Sequence, residues 1–260
     1  MDKSAAGISP GTSTNQQADL LEITFYTDPL CCWSWAFEPA WRRFLYEYDG
    51  KIAARYCMGG LLPGWENYRD TINSVSKPGQ MGPVWMHAGR LSGMPIQHDI
   101  WVNDPPASSY PACIAVKAAG LQSTNAEELL LRLLREAVMI RGENISRQTV
   151  LINAANQLCK LIPNFDVNLF IEDMKNGKGK EAFRKDLQEV QYLRINRFPS
   201  LVIKNAFGQA IMLTGYRDYH KLVEATGQVA SLSKTHEAII PAQYEQYWHG
   251  VTERELQEIS

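Results

Sequence analysis

The sequence predicts an α/β fold in which a small sheet domain is interrupted by an all-helical insertion. Three observations carry this. Strand, helix and strand patterns follow one another within residues 20–58, helical spacing then dominates from about Tyr68 to Leu193, and two short strand patterns with a helix close the unit. With 260 residues, 45% of them hydrophobic, the chain can bury a sizeable core.

Residues 1–18 are polar, rich in Ser, Thr, Gly and Gln, and read as a disordered tail without the apolar core of a secretory signal. Leu20 to Tyr26 reads as a strand buried on both faces except at Glu22 and Thr24. From Trp35 to Tyr48, Phe37, Trp41, Phe44, Leu45 and Tyr48 recur at helical spacing until Asp49-Gly50 ends the helix. Lys51 to Met58 alternates as a second strand, closed by Gly59-Gly60. A strand–helix–strand unit crosses over right-handed, so its strands are parallel and their C-terminal ends share one edge.

The first part of the sheet domain is thus expected at 19–64 and the helical insertion at 65–193, with loops at Ser76–Gly79, Asn103–Pro106 and Gly142–Asn144. The insertion's clearest helix is Asn125 to Ile140. Thr124 and Glu127 suit a capping box there, and Leu129, Leu130, Leu133, Leu134 and Ala137 form the buried stripe. The second part, 194–230, carries Leu201–Ile203 and Ala210–Thr214 as a hairpin turning at Phe207-Gly208, then a helix from about Asp218 to Ala225. A helical tail, 231–260, ends in a short helix opened by Thr252 with Glu255.

Basic and acidic residues number 26 and 28 and are mixed along the chain, for a net charge of −2, which argues against nucleic acid and against anionic membrane surfaces as partners. No apolar run is long enough to span a bilayer. The five cysteines (Cys31, Cys32, Cys57, Cys113, Cys159) are odd in number and scattered, which argues against a disulfide framework and for a reducing, cytoplasmic setting.

The chemistry concentrates in Asp28-Pro29-Leu30-Cys31-Cys32-Trp33-Ser34-Trp35, where a strand hands over to a helix. Unpaired N–H groups and the positive dipole end favour a thiolate at Cys31, so its pKa is expected to fall and the residue is a candidate nucleophile. Ser34 stands at the second place of a Cys-x-x-Cys spacing; it closes no disulfide but can donate a hydrogen bond to the thiolate. A Cys31–Cys32 bridge is strained, because adjacent Cα atoms are about 3.8 Å apart. Cys57 falls on the sheet edge that the crossover shares with Cys31. A buried structural thiol is its ordinary reading, and a resolving partner is the alternative. Of the two motif tryptophans, one is expected in the core and Trp33 partly exposed for recognition. Trp85, Met86, Met94, Trp101 and Tyr110 form either core or a substrate groove. His87 and His98 lack metal-ligand spacing and read as solvated or core, and Lys175 to Lys180 reads as an exposed loop.

The segment Thr27 to Pro39 resembles the active-site turn of DsbA-like thioredoxin-fold proteins, especially the FrnE-like branch, which usually has a second Cys at the place of Ser34. Arg197-Phe198-Pro199-Ser200-Leu201-Val202-Ile203 is similar to that family's cis-proline loop, and Gly59–Gly64 and Ser109–Ala115 also look like the branch. The Ser is also similar to glutathione transferase kappa and 2-hydroxychromene-2-carboxylate isomerase, although those relatives carry Ser where Cys31 sits. The resemblance implies a thioredoxin-like fold with a helical insertion. It puts Pro199 beside Cys31 and leaves the Phe198 backbone to pair with an extended peptide or a glutathione-like tripeptide.

The function this implies is a monothiol thiol-disulfide oxidoreductase acting through Cys31 on a protein or low-molecular-weight mixed disulfide. Its partners are protein or small-molecule thiols and disulfides. No cofactor is bound, and glutathione or another small thiol serves as co-substrate. Two alternatives stand beside it: a glutathione-dependent transferase or isomerase, and a non-catalytic adaptor of the YjbH-like kind that presents another protein to a protease.

Overall fold

The computed structural model describes residues 20–66 and 68–260; the expected tail at 1–18 lies outside the described residues. The leading strand β1, Leu21–Thr27, ends at the motif, where α1 (Cys32–Ala36) begins. A second helix, α2 (Glu38–Glu47), follows after a break at Phe37. The sequence pattern read this stretch as one helix. Pro39 has no N–H to give the Trp35 carbonyl, and the ladder resumes with the Trp41 N–H donating to the Phe37 oxygen at 3.0 Å. Strand β2 (Ile52–Met58) then pairs in parallel with β1 in the register Leu21↔Ile52 to Thr27↔Met58.

The helical region begins later than the spacing suggests, with a 3₁₀ turn at Pro78–Gln80 and then α3 (Met81–Ser92). Helices α4 (Ile100–Asn103), α5 (Tyr110–Gly120), α6 (Thr124–Met139), α7 (Gln148–Leu161), α8 (Val167–Lys175) and α9 (Lys178–Tyr192) complete it. Helix α6 is capped by Ser123, whose hydroxyl accepts the Ala126 N–H at 3.1 Å, and not by Thr124. Glu127 is drawn instead to Lys117 on α5 at 2.5 Å, a partner ten residues back that a capping reading leaves out. The Lys175–Lys180 segment is also more ordered than a loop, since only Asn176 and Gly177 separate α8 from α9. Trp85 and Trp101 stack edge to face at 5.1 Å and, with Met94, are buried; they are core and not a groove, while Met86 and Tyr110 are half-buried.

Strands β3 (Ser200–Lys204) and β4 (Ala210–Thr214) form the hairpin and add antiparallel to β1, giving the order β2-β1-β3-β4. Alternation splits the sheet's faces. Phe25 and Tyr56 join Phe37 and Trp41 of the α1–α2 side in the main core, whereas Tyr26 and Cys57 pack with Val190 of α9 and Ile195. Helices α10 (Tyr219–Gly227), α11 (Pro241–Tyr247) and α12 (Glu253–Glu258) close the chain.

Helix α12 is opened by the Thr252–Glu255 capping box, but Glu255 does more than cap. Its carboxylate, fully buried, pairs with Arg42 of α2 at 2.8 Å and with Arg132 of α6 at 2.9 Å. Arg132 also reaches Glu136 and Glu38 at 2.7 and 3.1 Å and lies 4.5 Å over the Trp35 ring, and Arg135 pairs with Glu38. Burying several charges costs several kcal/mol each unless every one is met, and here arginines and carboxylates interleave so that they are. The cluster welds α2, α6 and α12 together.

Burial alone would raise the pKa of Glu255, yet Arg132 and Arg42 hold it at about 2, below its ordinary 4.5. A folded-state value below the unfolded one gives stability that is complete above pH 4.5 and lost as pH falls toward 2. Glu255→Ala, which leaves two buried guanidinium groups short of a partner, is expected to cost about 3–5 kcal/mol in urea unfolding at neutral pH. In Glu255→Gln the drop in stability between pH 4.5 and 2 should shrink relative to the parent protein.

Candidate functional site

Cys31 is the N-cap of α1: its backbone is extended (φ −82°, ψ 106°) while the next residue is helical. This turns Sγ toward the helix, where it accepts the Ser34 N–H at 3.4 Å. On its other side the thiol donates to the Phe198 carbonyl at 3.7 Å, joining two segments 167 residues apart. Phe198 is held from beneath by Gly59 at the end of β2. A Cβ there would stand 1.9 Å from the Phe198 ring, so any larger residue would push that ring out of its place. The Phe198–Pro199 bond is cis, Pro199 is buried, and its carbonyl accepts the Gly215 N–H at 2.7 Å.

The thiol's acidity runs against the helix-terminus expectation. Cys31 is only 4% exposed, and burial pushes its pKa above the ordinary value of 9.0. The Ser34 hydroxyl and N–H and the more distant Arg135 favour the thiolate, but Asp28 opposes them and burial outweighs all. A five-residue α1 also offers only a short dipole. The Ser34 hydroxyl is fully buried and has no fixed hydrogen-bond partner among the described residues, so its proton can turn toward sulfur.

Asp28 was read from sequence only as part of the turn, and the structure gives it a larger part. The fully buried carboxylate accepts the Leu30 N–H at 2.8 Å, the Leu61 N–H at 2.7 Å, the Ser109 hydroxyl at 2.8 Å and the Cys113 thiol at 3.3 Å. All four partners are donors. Burial raises its pKa, and the four donors resist this by favouring the charged form. The signal in the sequence was an acid at a strand's end, with a Ser and a Cys four residues apart on a distant helix; only folding brings them together.

The other expected residues scatter. Cys32 points into the main core, and Cys57 is fully buried on the other face of the sheet with its thiol on the Asp186 carbonyl at 3.6 Å. All five cysteines are free, and the structure does not join Cys57 to Cys31. Trp35 is core, whereas Trp33 is half-buried at the mouth of the site, edge-on to His87 at 5.5 Å and 5.8 Å from Tyr216. Tyr68 stands on the same rim, near enough that charge on Cys31 and Asp28 adds to the effect of burial in raising its pKa. Neither Tyr68 nor Tyr216 carries a sequence signal. Among the described residues no His, Cys, Asp and Glu cluster is placed to hold a metal ion, and no helix is long and apolar enough to cross a membrane.

A family model described as Thioredoxin matches residues 25–224, which takes in β1, the motif, the helical region and the hairpin. The chain belongs to this thioredoxin family. Within the wider fold it is similar to a candidate protein disulfide isomerase from Nitrosomonas europaea (TM-score 0.66, 20% identity, covering 80% of this chain and 97% of that one). It is also similar to the cytosolic disulfide reductase DsbM from Pseudomonas aeruginosa (TM-score 0.59, 17% identity, 80% and 94%), which has been solved with GSH as well. At these identities the likeness shows the fold. A curated relative, the ClpXP adapter protein SpxH of Halalkalibacterium halodurans, is 31% identical over 206 residues, 78% of this chain. The chain spans 66% of that relative's length.

For this thioredoxin-family site the acidity of Cys31 gives a direct check. Alkylation of the native protein, resolved by peptide mapping, is expected to show Cys31 titrating above the ordinary thiol range. Asp28→Asn should move the midpoint down and Ser34→Ala should move it further up. A native midpoint below that of a free thiol would contradict the burial argument.

Proposed function

We propose that this chain is an adaptor, a thioredoxin-family protein that holds a client protein at the surface around Cys31 and delivers it to a ClpXP-type protease in the cytoplasm. The observation that carries the reading is that all five cysteines are free and none is paired with Cys31: Cys32 points into the main core, Cys57 lies on the other face of the sheet and the Cys113 thiol is on Asp28. Exchange chemistry needs thiolate, and burial, with Asp28 nearby, pushes the Cys31 thiol up, against that need. With Ser34 at the second motif position and Cys57 occupied on the other face of the sheet, a disulfide formed at Cys31 has no thiol of this chain placed to resolve it. A binding site needs neither ionisation nor a second thiol. The name of the curated relative, a ClpXP adapter, supports the same reading.

A second reading has its own observation in the unpartnered Ser34 hydroxyl and the Ser34 N–H, both aimed at sulfur. In monothiol exchange the Cys31 thiolate would attack a mixed disulfide. A Cys31–S bond forms as the original S–S bond breaks and the leaving thiolate departs with the proton. An outside thiol such as glutathione then attacks the adduct, breaks the Cys31–S bond, leaves as a disulfide with the transferred group and restores the Cys31 thiol.

Two assays separate the readings. In the first, a client captured on the immobilised chain is given to purified ClpXP with ATP. Its degradation is expected to accelerate when the chain is added, and equally so with Cys31→Ser. In the second, reduction of a glutathionylated peptide by the chain is compared with that by Cys31→Ser, and no difference is expected. Failure to accelerate, or a peptide turnover more than about tenfold above the variant, would overturn the adaptor reading in favour of exchange.

A further inference from the structure

Arginines in this protein fall into two sets. Nine stand within 4.0 Å of a carboxylate: Arg42, Arg43, Arg55, Arg132, Arg135, Arg141, Arg147, Arg184 and Arg254. Among the described residues Arg69, Arg90, Arg194, Arg197 and Arg217 do not, and all five are exposed. Their places are not random. Arg197 precedes the Phe198 carbonyl that meets the Cys31 thiol, and its stem crosses Gly215, where a Cβ would stand 3.3 Å from its Cδ. Arg217 follows Tyr216, which touches Trp33. Arg69 follows Tyr68 of the same rim, and Arg90 lies one turn beyond His87, the other contact of Trp33. Arg194 opens the loop that carries Arg197.

Against these five arginines the same loops carry three carboxylates with no cation within 4.0 Å among the described residues, Asp218, Asp70 and Glu66, which leaves an excess of positive charge. Asp218 is engaged as the N-cap of α10, accepting the Lys221 N–H at 2.9 Å, and Asp70 accepts from Ile72 and Asn73. Glu258, near Tyr216, is paired with Arg254 at 2.6 Å. Glu66 shares the Arg69 loop with Asp70. A chain of net charge −2 thus carries a locally positive, aromatic-lined rim around one buried thiol. The Phe198 N–H makes no hydrogen bond among the described residues and is available to a backbone carbonyl.

We propose that this rim is a docking surface for an acidic, extended segment of a protein partner, with Arg197 and Arg217 taking its carboxylates while its backbone lies along the Arg197–Phe198 loop. An exposed guanidinium without a carboxylate of its own offers a planar fork to an incoming carboxylate, and an excess of such groups at one surface speeds encounter with an acidic segment. The aromatic rings of Trp33, Tyr216 and Tyr68 supply the apolar contact between the charges. The inference rests on the adaptor reading for its partner class, but the surface can be tested without the protease.

The probe is a fluorescein-labelled peptide alternating glutamate with valine, followed by anisotropy at an ionic strength of about 0.05 M. It is compared with its lysine–valine counterpart and with a single-stranded oligothymidine. The acidic peptide is expected to bind at least about tenfold more tightly than either, and Arg197→Glu/Arg217→Glu to remove that margin. Arg197→Gln/Arg217→Gln should lose part of it, and Lys175→Glu, on α8 away from the site, none. Unchanged thermal unfolding shows that each variant folds. Equal affinity for the lysine peptide or the oligothymidine, no response to the double reversal, or displacement by millimolar reduced glutathione would each overturn the proposal. Failure of the two readings is distinguishable. Peptide binding through Arg197 and Arg217 without ClpXP acceleration keeps this surface and sinks the adaptor reading; acceleration untouched by the double reversal does the reverse.

Discussion

The site is built around one buried carboxylate. Asp28 sits at full burial without a cation in contact and is held by donors from three separate places: the turn it belongs to, the loop after β2, and the start of α5. Desolvating a carboxylate is affordable only when its lone pairs are met, so these segments must converge if the chain is to fold at all. That convergence sets the turn before α1, brings the helical region down onto the sheet, and leaves Cys31 in a pocket whose remaining wall is the Phe198–Pro199 loop. It also puts a negative charge beneath the thiol. The arrangement that gives the motif its shape works against its ionisation.

Much of the fold could be read before it was seen, because it rests on local signals. An apolar run marks β1 and alternation marks β2, the Phe207-Gly208 turn marks the hairpin, and Thr252 with Glu255 marks the last helix. What was misread depends on distant partners. The cap of α6 shifts to Ser123 because Lys117 takes Glu127, and the break before α2 follows from a missing N–H at Pro39 that an apolar pattern ignores. Helix α11 is short and mostly exposed, so it has little periodicity to read. At the site, Cys31, Ser34, Trp33, Phe198 and Pro199 do gather, but the direction of the thiol's pKa was wrong. A helix N-terminus can be seen in sequence, whereas burial and the charge on Asp28 are properties of the folded whole.

The thioredoxin scaffold offers two separable resources, a polarised thiol and a surface shaped to hold an extended chain. For the first, the motif here has a hydroxyl in the second place of the Cys-x-x-Cys spacing and a Cys31 sulfur that is largely buried. The second is intact, with a half-buried tryptophan at the mouth and a backbone loop across from it. Binding and electron exchange draw on different atoms of such a scaffold, so either can be kept without the other.

The cluster that locks α12 to α2 carries a consequence for how the protein is made. Arg42 and Glu255 are separated by 213 residues, a length that a ribosome needs about 10–40 s to add. Over the first part of that interval Arg42 has only Glu38, and after Arg132 and Glu136 have been added the set still lacks the carboxylate that completes it. The nascent chain must therefore keep the faces of α2 and α6 hydrated, and final closure of this part of the core is postponed until translation has passed α12. The last helix acts as a clasp, and a chain released before it is finished would keep its arginines in water and stay open to the cell's proteases.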